Sequence, residues 1–270
     1  MKRHILILLF ILPLFLKAQE NLTLEVPQPP VDYSQPADLK PEEMLEQAIQ
    51  LYINQEYQKA AGLYEQILSS GKTSVQVYFN LGNAYYKLND PARALLNFER
   101  AKLLAPANED IDFNIRIASQ FIVDNITALP QPFFLRWRSS VVNMASADTW
   151  ARLSIITFLV FLVLAGMFFF SRYSWVKRTT FWTGLFLLVF SAFSFSFANR
   201  QKKALNERKY AIIFCPRVTV KSSPSSSGTD LFLIHEGLKV EITDSLNNWK
   251  EIRIPDGNKG WMPDSCAVRI

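Results

Sequence analysis

Few side chains in this sequence are capable of covalent or proton chemistry. Cys215 and Cys266 are its two cysteines, and His4 and His235 its two histidines. A thiol beside an imidazole can act as a nucleophile–base pair, so Cys215 or Cys266 with His235 is the pairing to consider. The simpler reading is a histidine at a strand end and two structural cysteines. There is no CxxC and no Cys/His cluster, so no zinc site is expected. A glycine-rich phosphate loop and a paired-carboxylate motif are also missing. The sequence therefore predicts a non-enzymatic protein with no cofactor and no metal.

Charge is distributed unevenly. Residues 19–127 carry a balance of −7, residues 128–210 a balance of +9, and residues 211–270 a balance of zero. The positive charge thus flanks the apolar runs, where basic residues meet anionic headgroups and set topology. A nucleic-acid binder carries that charge on a folded domain. Neither soluble part does, so no nucleic-acid partner is expected.

The elements that must position any site begin with Met1-Lys2-Arg3-His4 and an apolar run from Ile5 to Leu16. With a small residue at Ala18, residues 1–18 read as a cleavable secretory signal, too short to span a bilayer. Residues 19–40 read as an extended linker, kept from helix by Pro27, Pro29, Pro30 and Pro36.

A period of 34 residues follows. Met44 matches Tyr78, Leu51 matches Tyr85, Ala60 matches Ala94, Tyr64 matches Phe98 and Ile67 matches Ala101. That period is expected of a helix–turn–helix array. In the second unit Gly82 and Ala94 are small where helices cross, Phe98 fills the wedge between them, and Pro106 ends the pair. Residues 75–108 resemble the tetratricopeptide repeat (TPR) family, and residues 41–74 resemble it more loosely, with Gln47, Ala48 and Lys72 departing. Residues 41–126 are read as two TPR units closed by a capping helix over 109–126, with Ile111, Ile115, Ala118 and Ile122 on one face. The resemblance implies a groove that takes a partner's peptide or helix. Its lining would be Leu45, Ile49 and Tyr52 in the first unit and Phe79, Asn83, Tyr86 and Lys87 in the second. Asn83 matches one position of a carboxylate-gripping clamp, but Leu45 and Ile49 do not. Tyr52, Phe79 and Tyr86 could instead pack against the linker or a neighbouring helix.

Residues 127–150 read as an interfacial segment, with Phe133, Phe134, Trp137, Val141 and Met144 at helical spacing beside Arg136 and Arg138. Residues 151–171 and 180–198 read as two transmembrane helices, joined by a cytoplasmic turn at 172–179 and followed by a basic juxtamembrane segment at 199–210. Each is long enough to cross at about 1.5 Å per residue. The signal places both soluble parts in the periplasm. Arg172, Lys177 and Arg178 in the turn agree with the positive-inside rule, whereas Arg200, Lys202, Lys203, Arg208 and Lys209 oppose it.

Residues 211–270 change to a period of two, with strands at 211–214, 218–221, 231–234, 239–243, 249–254 and 260–262. This predicts a small all-β barrel. Ala211-Ile-Ile, Val218-Thr-Val-Lys-Ser-Ser-Pro224, His235-Glu-Gly237, Trp249-Lys-Glu-Ile252 and Gly260-Trp-Met-Pro263 resemble the bacterial SH3-like family. That resemblance implies binding of peptides or cell-wall material, with Trp249 and Trp261 either a ligand shelf or, the reading we favour, barrel core. It also makes first and last strands neighbours, which would bring Cys215 and Cys266 within disulfide reach. Two buried free thiols are the alternative.

The fold class is thus a multi-domain membrane protein: an all-α TPR array, two transmembrane helices and an SH3-like barrel. This order of parts resembles the TPR proteins of the Bacteroides aerotolerance (Bat) membrane system. The resemblance implies a scaffold in the bacterial inner membrane, with von Willebrand A-type membrane proteins and a MoxR-type ATPase as partners. A peptidoglycan-binding or envelope-sensing protein is the alternative.

Overall fold

The computed structural model describes residues 40–124, 126–130, 132–207 and 209–270. The expected signal and all of the expected linker except Lys40 lie outside the described residues. The helical array comprises α1 (Pro41–Ile53), α2 (Tyr57–Ser69), α3 (Val75–Lys87), α4 (Pro91–Leu104) and α5 (Glu109–Ser119), each packed on the next. Proline opens α1 and α4 at the first turn, where its missing N–H costs nothing. Ser74 Oγ accepts the Val77 amide at 3.1 Å and Asp90 Oδ1 accepts the Arg93 amide at 2.9 Å. Asn108 Oδ1 accepts the amides of Asp110 and Ile111. These side chains satisfy donors that the helix itself leaves orphaned.

The repeat is visible in the backbone. Gln55 and Asn89 occupy the same place in their units, and both adopt positive φ, 64° and 57°. The next amide then turns back onto the helix, Glu56 to Leu51 O at 2.9 Å and Asp90 to Tyr85 O at 3.0 Å. In the second unit Phe98 is fully buried on Gly82, where a Cβ would come within 2.6 Å of its ring. In the first unit Ala48 and Tyr64 fill the corresponding positions and are equally buried.

The capping helix is shorter than expected, because α5 ends at Ser119. Ile111 and Ala118 are buried on it and Ile115 half-buried, but Ile122 leaves the helix and packs on Gly237, in the turn after His235. The Asp124 carboxylate nearby accepts the His235 amide at 2.5 Å. Contacts with the sheet thus replace the last helical turn.

After α6 (Phe133–Val142) come α7 (Ala147–Phe170) and α8 (Ser174–Glu207), both long and apolar enough to cross a membrane. The turn expected over 172–179 contracts to Ser171–Tyr173. The expected juxtamembrane segment continues α8 as helix through Glu207. The packing of this hairpin inverts that of a soluble core. Thr180, Gly184, Ser191, Ser194 and Ala198 are buried against α7, whereas Phe186, Val189, Phe193 and Phe195 face outward. Ser154 Oγ donates to Ser191 O at 3.0 Å and Ser191 Oγ returns the bond to Ser154 O at 2.9 Å. Small and hydroxyl residues inside with large apolar residues outside is the arrangement that suits lipid.

The last sixty residues form a seven-stranded antiparallel sheet in the order β3-β2-β6-β5-β4-β1-β7. Its strands are β1 (Tyr210–Ile213), β2 (Arg217–Lys221), β3 (Asp230–His235), β4 (Lys239–Leu246), β5 (Trp249–Arg253), β6 (Lys259–Pro263) and β7 (Ala267–Arg269). The first and last strands are neighbours. The expected closure into a barrel, however, does not occur: among the described residues, β3 and β7 have no ladder partner on one side. The helical array and the segment that follows it take up polar groups at both edges instead. Asp124 accepts the β3 amide of His235, and Arg100 Nη2 donates to the β7 carbonyl of Arg269 at 2.8 Å. One apolar core, including Ile213, Val220, Ile234, Val240, Ile252 and Met262, draws from the first six strands.

Replacing Gly82 by Ala should lower the stability of the array in a denaturant titration by about 1–2 kcal/mol, because overpacking exceeds the gain in helix propensity. In a Phe98→Leu background, with the ring gone, the same change should become neutral or stabilising. A loss of equal size in both backgrounds would refute the Gly82–Phe98 wedge.

Candidate functional site

The first helices of the repeats, α1 and α3, lie side by side, α5 packs on α4, and Phe121 just past α5 meets Tyr86 of α3. Side chains at spacings of four and seven share one face of each helix. Leu45, Ile49, Tyr52, Phe79, Asn83 and Tyr86 are half-buried and Lys87 is exposed. The structure therefore leaves all seven expected groove residues partly open. The three aromatic side chains also serve the fold. The Tyr52 ring meets Tyr57 at 5.2 Å, Phe79 meets Phe98 at 5.7 Å and Tyr86 meets Phe121 at 5.7 Å. One edge of each ring is used internally and the rest remains available.

Sequence reasoning stopped the groove one helix short. Phe113 and Phe121 occupy on α5 and just beyond it the repeat positions of Phe79 and Lys87, and both are exposed. Ile53 holds the matching position at the end of α1 and is exposed too. The same 34-residue spacing would have revealed them, had the capping helix been read as a third first-helix. Tyr86, Lys87, Asn89, Pro91 and Phe121 enclose a cleft of about 340 Å³ at one end of this face. The surface is mainly apolar, with one amide at Asn83 and one ammonium at Lys87. Such a surface suits an apolar segment oriented by a few hydrogen bonds.

The opposite side of the array is occupied by the sheet. Glu99 on α4 is buried and pairs with Lys239 of β4 at 2.6 Å. His235 Nδ1 lies 2.8 Å from Asp124 Oδ1, and the Leu129 amide donates to Pro255 O at 3.1 Å. Gly237 and Gly257, both at positive φ, receive Ile122 and Leu129 where a Cβ would collide. The signal for this docking was in α4 itself, where Ala94-Leu-Leu-Asn-Phe-Glu99 is buried on every side. A helix buried all round must be covered from two directions.

On the sheet, Lys250, Ile252 and Met262 are buried, while Trp249, Glu251 and Trp261 are half-buried on the other face. Strand alternation places the two tryptophans on the face opposite Ile252 and Met262. Trp261 lies across from Glu251 and Lys221, and Trp249 across from Pro263. Lys250 pairs with Asp264 of the short 3-10 turn Asp264–Cys266, and burial, with Arg269 nearby, holds its ammonium below the usual lysine range.

Cys215 follows β1 and Cys266 precedes β7, and the structure joins them as a disulfide with Cα atoms 5.0 Å apart. No thiol therefore stands beside His235, whose imidazole faces Asp124. Unreduced full-length protein should have a mass about 2 Da below its reduced form, the two hydrogens lost on oxidation. Replacing both cysteines by serine should cost about 2–4 kcal/mol of stability. An unreduced mass equal to the reduced one would refute the bond.

Among known proteins, residues 75–108 match the tetratricopeptide repeat family, which covers α3, α4 and the turn after them. No curated protein matches the chain. The chain thus contains a tetratricopeptide repeat, a module that generally mediates protein–protein interaction.

Proposed function

We propose that the chain is a non-enzymatic, membrane-anchored scaffold that seats a protein partner in the groove across α1, α3 and α5. The observation that carries this reading is the asymmetry of the array. Its α4 side is closed by the sheet, while the groove side keeps a row of half-buried and exposed apolar residues. An apolar row left open on an otherwise packed array is a docking feature. The pairing of Cys215 with Cys266 supports the non-enzymatic part. From the resemblance in domain order, we place the protein in a Bat-type inner-membrane assembly. Its partners there would be von Willebrand A-type membrane proteins and a MoxR-type ATPase. Both soluble parts would be periplasmic, and the sheet would be an SH3-like module.

Replacing Asn83 and Lys87 together by Ala should lower partner recovery from detergent extracts about tenfold or more, at about 1–3 kcal/mol per contact. Unchanged recovery with intact helical circular dichroism would remove the groove from the account. A second reading, peptidoglycan binding by the sheet, is favoured by the outward Trp249 and Trp261. It predicts that full-length protein sediments with purified peptidoglycan and that Trp249→Ala and Trp261→Ala abolish this. For orientation, Lys72→Cys should react with an impermeant thiol reagent in spheroplasts and Ser174→Cys only after permeabilisation. The reverse pattern would invert the topology.

A further inference from the structure

Helix α6 carries its apolar side chains on the wrong face for a soluble helix. Val142 is buried and Leu135 half-buried against the rest of the chain, yet Phe133 is 78 %, Phe134 55 % and Trp137 69 % exposed. Phe133, Trp137 and Ser140 lie at spacings of four and seven, so they share one outward stripe, and Met144, 71 % exposed, follows just past the helix end. At 100° per residue, Arg136 and Arg138 fall on opposite sides of that stripe, and both are exposed.

The height of this helix is set by the hairpin. Trp150 Nε1 at the start of α7 donates to Val142 O at 2.9 Å, and that indole packs on Phe197 of α8 at 5.2 Å. Gln201 Nε2 donates to Val142 O at 2.6 Å and to Ala145 O at 2.8 Å. These ties hold the end of α6 where α7 begins and where the apolar stretch of α8 ends. Arg152, Arg200, Lys202 and Lys203 are exposed around the same level, with Asp148 the nearby acid. Just beyond, Leu205 of α8 lines a cleft together with Leu104 of α4 and Ile270.

We propose that α6 lies in the headgroup region of an anionic phospholipid bilayer, its aromatic stripe inserted and the surrounding arginines and lysines forming a collar on the lipid phosphates. The occupant follows from two features. The apolar stripe is continuous with the boundary of the candidate spans, and the charge around it is almost wholly positive. Aromatic and basic side chains in one short amphipathic helix have this use at a membrane surface. The collar also fixes the distance of the helical array and sheet from the bilayer, since α8 joins all three. The proposal rests on α7 and α8 spanning the membrane, and the test separates the two.

Full-length protein carrying a fluorophore at Ser140→Cys, Leu162→Cys or Ser245→Cys is reconstituted into vesicles containing lipid spin-labelled near the headgroup or near the bilayer centre. The label at 140 should be quenched about twofold or more by the headgroup-level probe, the label at 162 by the deep probe, and the label at 245 by neither. Quenching at 140 should be stronger with phosphatidylglycerol than with phosphatidylcholine alone, and Arg136→Gln with Arg138→Gln should remove that excess. Phe133→Ser with Trp137→Ser should lower it in both lipids. An unquenched label at 140 beside a quenched label at 162 would overturn the proposal and leave the spans standing. If that unquenched label were shielded from thiol reagents in native membranes, the stripe would belong to a protein partner. An unquenched label at 162 would overturn the spans, and the proposal with them.

Discussion

Phe98 and Glu99 are neighbours on α4 and serve different halves of the molecule. The Phe98 ring occupies the notch left by Gly82 and ties the two helices of a repeat together. Glu99 is buried on the far side and pairs with Lys239 of the sheet. An unpaired buried carboxylate is costly, so the pair penalises any arrangement that separates array from sheet. From this double burial follows the rest of the soluble part. One side of the array is closed, the groove side is left open, and polar groups of the edge strands β3 and β7 find partners on the segment after α5 and on α4.

Covering the edges in this way bears on a general hazard. An unladdered strand offers its free N–H and C=O groups to any passing chain. Here Asp124 takes the amide of His235 and Arg100 reaches the carbonyl of Arg269, so α4 and the segment after α5 protect what barrel closure would have protected elsewhere. The disulfide holds the short β7 beside β1, its ladder partner among the described residues. Among the described residues, both sulfurs are joined in one bond and the His235 imidazole faces a carboxylate.

The hairpin of α7 and α8 follows the opposite rule of burial. Helices that pack in lipid gain little by hiding Phe or Leu, and in them close approach of backbones and exchanged hydroxyl bonds decide which face turns inward. Ser154 and Ser191 supply the bonds, and Gly184 and Ala198 supply the close fit. α8 continues as one helix to Glu207, shortly before β1 begins at Tyr210.

Local pattern was enough for much of this. The 34-residue spacing of Tyr78, Ala94 and Phe98 with their counterparts determined the helix pairs, and the matching turns at Gln55 and Asn89 follow from it. The apolar runs determined two long helices, and period-two alternation determined most strands, since each signal depends on neighbours a few residues apart. What only the tertiary structure decided involves partners far apart in sequence. Glu99 with Lys239 and Asp124 with His235 are pairs that no local period encodes. They moved Ile122 off its helix, left the sheet open where a barrel was expected, and turned two separate domains into one packed body. Trp249 and Trp261 went to the outer face for a related reason: their strand signal was clear, but which face became core was settled only when Ile252 and Met262 packed against the other strands.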